Sequence, residues 1–261
     1  THSLIAGEEQ TVFKSSGTTD TGRSHHYIHD LKLYENSFRE SFKRFYGPVQ
    51  DYAILALLPS YIENGESSLI YMADSLIHDS KHQSSGFYLD NLQELSKQIR
   101  ILDKSGQKTL LLGVSYALLD LIEKQSFKLK NTIVMETGGM KGRRKEMIRD
   151  ELHRHLTSGF GIQHIHSEYG MTELLSQAYS KGNGIFRSPD WMRVLIRDIN
   201  DPLSSMPLGQ SGGINIIDLA NIYSVSFIET KDLGKLESTN CFELLGRFDD
   251  SDIRGCNLLI A

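Results

Sequence analysis

Apolar residues fall into two textures along the 261-residue chain. From Ala53 to about Tyr169, short apolar runs alternate with stretches of helical spacing. "AILALLP" (Ala53–Pro59) reads as a buried strand stopped by Pro59. "SSLIYMADSLIH" (Ser67–His78) sets Leu69, Met72, Ala73, Leu76 and Ile77 at helical spacing. "LDNLQELSKQIR" puts Leu89, Leu92, Leu95 and Ile99 on one side of a second helix. "KTLLLG" reads as a strand broken by Gly113, and "SYALLDLIEK" as the following helix with Ser115 in the capping place. "NTIVMETGG" is a strand running into a glycine pair. "RRKEMIRDELHRHL" is an amphipathic helix through Met147, Ile148, Leu152 and Leu156, and "IQHIHSEYG" is a short strand ending in a turn. Strand–helix alternation of this kind predicts an α/β fold with a largely parallel sheet and flanking helices.

After about Lys181 the texture changes. "MRVLIRDI", "GGINIIDLA", "SVSFIET" and "CFELLGRF" are strand-like and separated by turn residues. We expect an α/β nucleotide-binding domain over residues 1–182 and a smaller β-rich subdomain over 183–261. Ligands of open parallel sheets bind at the carboxyl ends of the strands, which directs attention to the turns after Val134 and Ile165.

Composition narrows the classes. Hydrophobic residues make up 39% and charged residues 23%, ordinary for a globular protein with a real core. A net charge of −5 argues against a nucleic-acid binder, and the short basic run Lys141, Arg143, Arg144, Lys145 is followed directly by acidic residues. Cys241 and Cys256 are too few for a disulfide scaffold. No apolar stretch approaches the ~18 residues of a membrane span, and "THSLIAGEEQ" lacks a signal-peptide pattern. The expectation is a cytoplasmic protein. The chain opens on Thr1 with a ligand-rich loop almost at once, so a preceding N-terminal segment is also expected.

That loop lies in "VFKSSGTTDTGRSHHYIHD" (Val12–Asp30). Alone it reads as a flexible connector or a phosphate loop. Gly17 to Ser24 fits G-x-x-x-x-G-K-[ST] with Arg23 in place of the lysine, but "EEQTVFKSS" is a poor buried strand to precede a P-loop. His25 and His29, four apart with His26 between, suggest either a metal pair or solvated residues opening a helix. His164 and His166 share one face of a strand, where they either reach the site or simply pack.

Ser15-Ser16-Gly17-Thr18-Thr19 also matches the start of [ST]-[ST]-G-T-T-G-x-P-K, with departures at Asp20, Gly22 and Arg23. Tyr169-Gly170-Met171-Thr172-Glu173 fits Y-G-x-T-E. "ETGGMKG" is placed like a G-G-[AE]-P loop, "ETKDLGKL" like a T-G-D-L segment with Lys231 for glycine, and "GRFDDSDIRG" like G-R-x-D-D-x-[IV]-K-x-R-G. In this order the motifs resemble the adenylate-forming superfamily. "LLPSYIENGESSLIYMADSLI" and "GVSYALLDLIE" resemble its LuxE-type acyl-protein synthetase branch.

The resemblance implies the fold of that superfamily's large N-terminal domain, with ATP and Mg²⁺ as cofactors and a carboxylic acid, of the fatty kind, as substrate. By it, Ser15, Ser16, Gly17, Thr18 and Thr19 donate to the β- and γ-phosphates, and Arg23 adds charge. Thr172 bonds the α-phosphate and Glu173 holds Mg²⁺, a hard cation that takes oxygen ligands. Gly138, Gly139 and Met140 line an adenine slot, with Tyr169 stacked on the purine and Gly170 in the same turn. Asp232 accepts from the ribose and Arg247 donates to ribose or phosphate. Tyr116, Phe87 and Trp191 are guesses for an acid pocket. Cys256 is the implied acyl acceptor, with a small buried hydrophobe as the other reading, while Cys241 is expected in the core. An acyl-reductase or acyltransferase is the implied partner. Only eleven residues follow Asp250, so the family's small C-terminal domain and its lysine are not expected, leaving Arg23, Lys141, the expected preceding N-terminal segment or a partner to serve. The competing class is a degenerate nucleotide-binding subunit of a larger complex, because Asp20 and Lys231 replace motif glycines.

Overall fold

The computed structural model describes residues 9–15, 23–59, 66–138, 144 and 147–248. The described chain opens with β1 (Thr11–Lys14) and β2 (His25–Ile28), an antiparallel hairpin registered Phe13↔His26. Helix α1 (Leu31–Tyr46) follows. Asp30 caps it by accepting from the Lys32 amide, Tyr34, Phe38 and Phe42 recur every four residues on its buried face, and Gly47 ends it. Phe13 meets the Tyr34 ring edge-on at 5.5 Å and the Tyr71 ring at 5.7 Å. Burying such a ring is worth on the order of 1.5–3 kcal/mol, which ties the hairpin to the helical layer.

The rest is built on one eleven-stranded sheet. Its elements in chain order are β3 (Ala53–Leu57), α2 (Ser68–Ser80), β4 (Gly86–Phe87), α3 (Leu92–Ser105), β5 (Thr109–Val114), α4 (Ser115–Lys124), β6 (Thr132–Thr137), α5 (Arg149–Phe160) and β7 (His166–Tyr169). Then come β8 (Ala178–Ser180), β9 (Ile185–Arg187), β10 (Met192–Arg197), β11 (Ser211–Asp218), β12 (Phe227–Ser238) and β13 (Cys241–Arg247). The sheet order is β10-β11-β12-β13-β9-β8-β7-β6-β5-β3-β4. Strands β4, β3, β5, β6 and β7 are mutually parallel, and every pairing from β7 through β8 to β10 is antiparallel. This is the α/β fold expected of the sequence, and the β-rich stretch extends the same sheet. Strands β3 and β5 are buried at every position, as parallel strands covered on both faces must be. Among the described residues no helix is long and apolar enough to cross a membrane.

Local expectations fail at four places. The strand does not stop at Gly113 but runs on to Val114. Helix α4 begins at the next residue, and a Cβ on Gly113 would lie 2.9 Å from Leu118 of that helix and 3.1 Å from Leu57. The glycine therefore admits a close helix–strand approach rather than a break. Ser115 makes no capping bond; its hydroxyl donates to the Gly138 carbonyl at 2.7 Å. Helix α5 starts only at Arg149, with Ile148 at its N-cap position and 70% exposed. Its first turn carries Asp150 and Glu151, which suit the positive helix start, whereas the basic run upstream does not. Finally, His25 and His26 lie in a strand, not at a helix start, and the P-loop alternative lacks its topology because the loop joins two hairpin strands.

The carboxyl ends of β6 and β7 lie side by side, registered Thr137↔Glu168. The Thr137 hydroxyl donates to Glu168 Oε2 at 2.5 Å. Burial pushes the Glu168 carboxyl from its ordinary 4.5 up to about 7, with the Thr137 bond opposing and the Glu136 charge assisting.

Two outcomes follow from this packing. Gly113→Ala should lower the unfolding free energy in urea by about 1–3 kcal/mol through overpacking; an unchanged midpoint would mean Leu118 has room to yield. Because the folded state holds a proton on Glu168 that the unfolded chain releases near pH 4.5, this group's stabilisation is present below that pH and lost as pH rises through about 7. The thermal midpoint of Glu168→Gln should therefore gain on the parent between about pH 5 and about pH 8. A gap that stays constant across the range would show a solvated carboxylate.

Candidate active site

The hydroxyl-rich loop is closed at its base. The Ser15 amide donates to the Ser24 carbonyl at 3.0 Å, and the Ser24 amide donates to Ser15 Oγ at 2.9 Å. Of the expected phosphate-loop residues, Ser15 and Arg23 are described, and Arg23 is exposed; Ser16, Gly17, Thr18, Thr19 and Gly22 lie outside the described residues. The Ser24 hydroxyl donates to Glu173 Oε1 at 2.6 Å. That bond spans 149 residues of sequence and joins the base of the loop to the Tyr169–Glu173 turn.

The turn after β7 is shaped by buried groups. A Cβ on Gly170 would lie 2.4 Å from Glu168 Oε1, so only glycine fits as the chain leaves the strand. Beyond Glu173, Asp218 at the end of β11 accepts from the Leu175 amide at 2.9 Å, the Ser176 amide at 3.1 Å and the Ser176 hydroxyl at 2.5 Å. It also accepts from the Ala220 amide at 3.1 Å and Asn221 Nδ2 at 3.2 Å. Burial pushes the Asp218 carboxyl up, and the Ser176 hydroxyl and the backbone amides pull it back. Asn221 Nδ2 further donates to the Glu173 carbonyl at 2.8 Å. Its Oδ1 faces His26 Nε2 at 3.0 Å, and burial holds the His26 imidazole below its ordinary value.

At the other end of the turn, the Tyr169 hydroxyl donates to Asp232 Oδ2 at 2.7 Å. Arg247 Nε stands 3.3 Å from Asp232 Oδ1, across the β12–β13 register. Asp232 is buried, and burial raises its carboxyl while Tyr169 and Arg247 lower it. The Tyr169 ring is 6% exposed and meets Phe186 and Phe242 edge-on at 6.0 and 5.6 Å. Gly138, whose carbonyl accepts from the Ser115 hydroxyl, follows directly after β6, the strand paired with β7. Gly139, Met140, Lys141 and Cys256 lie outside the described residues, and Cys241 is half-buried opposite Arg187.

The structure thus brings Ser15, Thr172 and Glu173 to one end of a single turn and Tyr169, Asp232 and Arg247 to the other. Asp218, Asn221 and Glu168 were not marked by any motif, and Ser24 and His26 only by the P-loop and metal alternatives, yet all five pack against the turn or its base. His166 faces away into packing: its Nδ1 lies 3.1 Å from the Tyr46 hydroxyl, and burial, with the Lys181 and His164 charges, lowers it to about 4. His164 is exposed. Trp191 donates from Nε1 to Ser37 Oγ at 2.9 Å, and Tyr116 is buried in the main core. Among the described residues no three His, Cys, Asp or Glu side chains gather as a metal site. Among the described residues, the Glu173 carboxylate, the Ser24 hydroxyl bonded to it and Thr172 next to it in sequence offer oxygen donors. Such a set suits a hard cation and phosphate, not a soft metal.

No curated protein matches the chain significantly by sequence. Solved structures match in fold. ATP-bound MatB from Rhodopseudomonas palustris is 19% identical with a TM-score of 0.63, covering 92% of this chain and 49% of that one. O-succinylbenzoate coenzyme A synthetase (MenE) from Bacillus subtilis, in complex with ATP and magnesium, is 17% identical with a TM-score of 0.59, over 91% and 50%. A long-chain-fatty-acid–CoA ligase (FadD1) from Archaeoglobus fulgidus is 14% identical with a TM-score of 0.60, over 90% and 51%. The chain spans about half the length of these structures, and at such identities the likeness concerns the fold alone. The family model described as "Acyl-protein synthetase, LuxE" matches residues 66–261. The chain belongs to this LuxE-type acyl-protein synthetase family, on the fold of the adenylate-forming enzymes.

Proposed function

We propose that the protein activates a carboxylic acid with ATP and passes the acyl group to a thiol. A carboxylate oxygen attacks the α-phosphorus, the bond to pyrophosphate breaks, and an acyl-adenylate forms. A thiolate then attacks the acyl carbon, AMP leaves, and a thioester remains. The difficulty is the meeting of two anions, which calls for fixed donors and neutralising charge at the phosphates. The observation that supports the reading is the Ser24–Glu173 hydrogen bond, which joins the base of the hydroxyl-rich loop to the Tyr169–Glu173 turn.

In this reading Ser15 with Ser16, Gly17, Thr18 and Thr19 cradles the β- and γ-phosphates, Arg23 supplies exposed positive charge, and Thr172 bonds the α-phosphate. Glu173 holds Mg²⁺, which neutralises the phosphate oxygens when bound. Asp232 and Arg247 receive the ribose, and Gly138, Gly139 and Met140 receive the adenine beside Tyr169 and Gly170. Family membership supports a fatty acid as substrate, Cys256 as acyl acceptor, and an acyl-reductase or acyltransferase as the protein that takes the acyl group onward.

The parent should catalyse ATP–pyrophosphate exchange only when a suitable acid is present, and a series of acids of increasing chain length would reveal which. Glu173→Gln should slow exchange by about 10²–10³-fold, the usual loss when one electrostatic stabiliser is removed. Cys256→Ser should exchange pyrophosphate normally but lose a hydroxylamine-sensitive acyl label on the protein. Tight ATP binding with no exchange for any acid would sink the enzyme reading and leave a nucleotide-binding subunit.

A further inference from the structure

A group of buried polar residues behind the Glu173 turn has no counterpart in any motif. Asn221 sits at its centre with no measurable exposure, at the end of a short 3-10 turn (Leu219–Asn221) that follows β11. Its amide group is fully assigned. Nδ2 donates forward to the Glu173 carbonyl at 2.8 Å and back to Asp218 Oδ2 at 3.2 Å. Two acceptors on one side orient Oδ1 to the other, where it accepts from Ser224 Oγ at 2.7 Å and faces His26 Nε2 at 3.0 Å. An oxygen acceptor there requires the proton on Nε2. His26 lies two residues after Ser24, whose hydroxyl holds the Glu173 carboxylate at 2.6 Å. The backbone of Glu173 and its side chain are therefore both tied to the stretch Ser24–His26 at the start of β2, one through Asn221 and one directly.

We propose that Asn221, oriented by Asp218 and by the Nε2–H of His26, is a positioning residue that sets the Glu173 carboxylate for Mg²⁺·ATP. This rests on the nucleotide-activating reading above. Asn221 touches neither metal nor phosphate; it closes a ring of hydrogen bonds that runs from β2 to Glu173 and returns through Ser24. Without Asn221, the Glu173 carbonyl loses the Nδ2 donor at 2.8 Å and the buried His26 Nε2–H loses its acceptor at 3.0 Å, keeping the longer 3.4 Å approach of Ser224 Oγ. Outer partners of this kind typically change metal affinity by about ten- to a hundredfold.

Calorimetric titration of ATP, with MgCl₂ and again with EDTA, tests this without reference to turnover. In Asn221→Leu the Kd for ATP with Mg²⁺ should rise about tenfold or more, toward the value in EDTA, while the EDTA value stays within about twofold. His26→Gln carries a donor nitrogen where Nε2 stands and should bind like the parent. His26→Phe should behave like Asn221→Leu. If Asn221→Leu does not fold, judged by its thermal midpoint, the His26 pair decides on the same criterion. Unchanged Mg²⁺-dependent affinity in folded Asn221→Leu, or His26→Phe equal to His26→Gln, overturns the positioning role and leaves the proposed activity standing. A parent that gains nothing from Mg²⁺ in binding ATP overturns both.

Discussion

Asp218 is a carboxylate with no exposed surface, and much of the site's geometry follows from how it is satisfied. A buried carboxylate is tolerated only where hydrogen bonds replace its lost hydration; otherwise the penalty is several kcal/mol. Here the donors come from two separate stretches of chain. Leu175 and Ser176 belong to the segment just after the Tyr169–Glu173 turn, and Ala220 and Asn221 to the turn after β11. Satisfying one charge therefore forces the parallel and antiparallel halves of the sheet into a single relation. The Glu173 turn inherits that relation through Asn221.

Strand β7 carries the other half of the arrangement. Side chains alternate across a strand, so its last two residues serve different surroundings. Glu168 pairs with Thr137 and lies near Tyr34, Tyr46 and Tyr179, whose hydroxyls are kept protonated first by burial and then, where Glu168 is ionised, by its charge. Tyr169 packs with Phe186 and Phe242 in the second apolar cluster and reaches Asp232 with its hydroxyl. The chain then leaves the sheet through a glycine that Glu168 allows no side chain. Catalytic candidates thus sit where a rigid strand end meets a turn, held from below rather than by contacts within the loop itself.

Signals present in the sequence explain most of the architecture. Continuous apolar runs such as "AILAL" and "TLLLG" become strands buried on both faces. Helix α1 also carries its own marks, namely the Asp30 cap, the four-residue spacing of Tyr34, Phe38 and Phe42, and Gly47 at its end. Three of the misjudged places share a cause: the residue answers to a partner outside its own element. Gly113 leaves room for Leu118 of the next helix and Leu57 of the neighbouring strand, Ser115 turns to Gly138, and the buried His26 bonds Asn221, 195 residues away.

By itself the sequence determined the strand–helix alternation, the α/β class and the order of motifs, because apolar spacing and short glycine-bearing turns act over a few residues. It also set oxygen-bearing side chains, the hydroxyls of Ser15 and Thr172 and the carboxylate of Glu173, in the stretches that the motifs single out. Only the tertiary structure joined the Ser15–Ser24 base to Glu173 and set Asn221, His26 and Asp218 behind that turn. The reason is physical: buried hydrogen bonds take their strength from exclusion of water, and which groups are sealed from water is known only once the whole chain has packed.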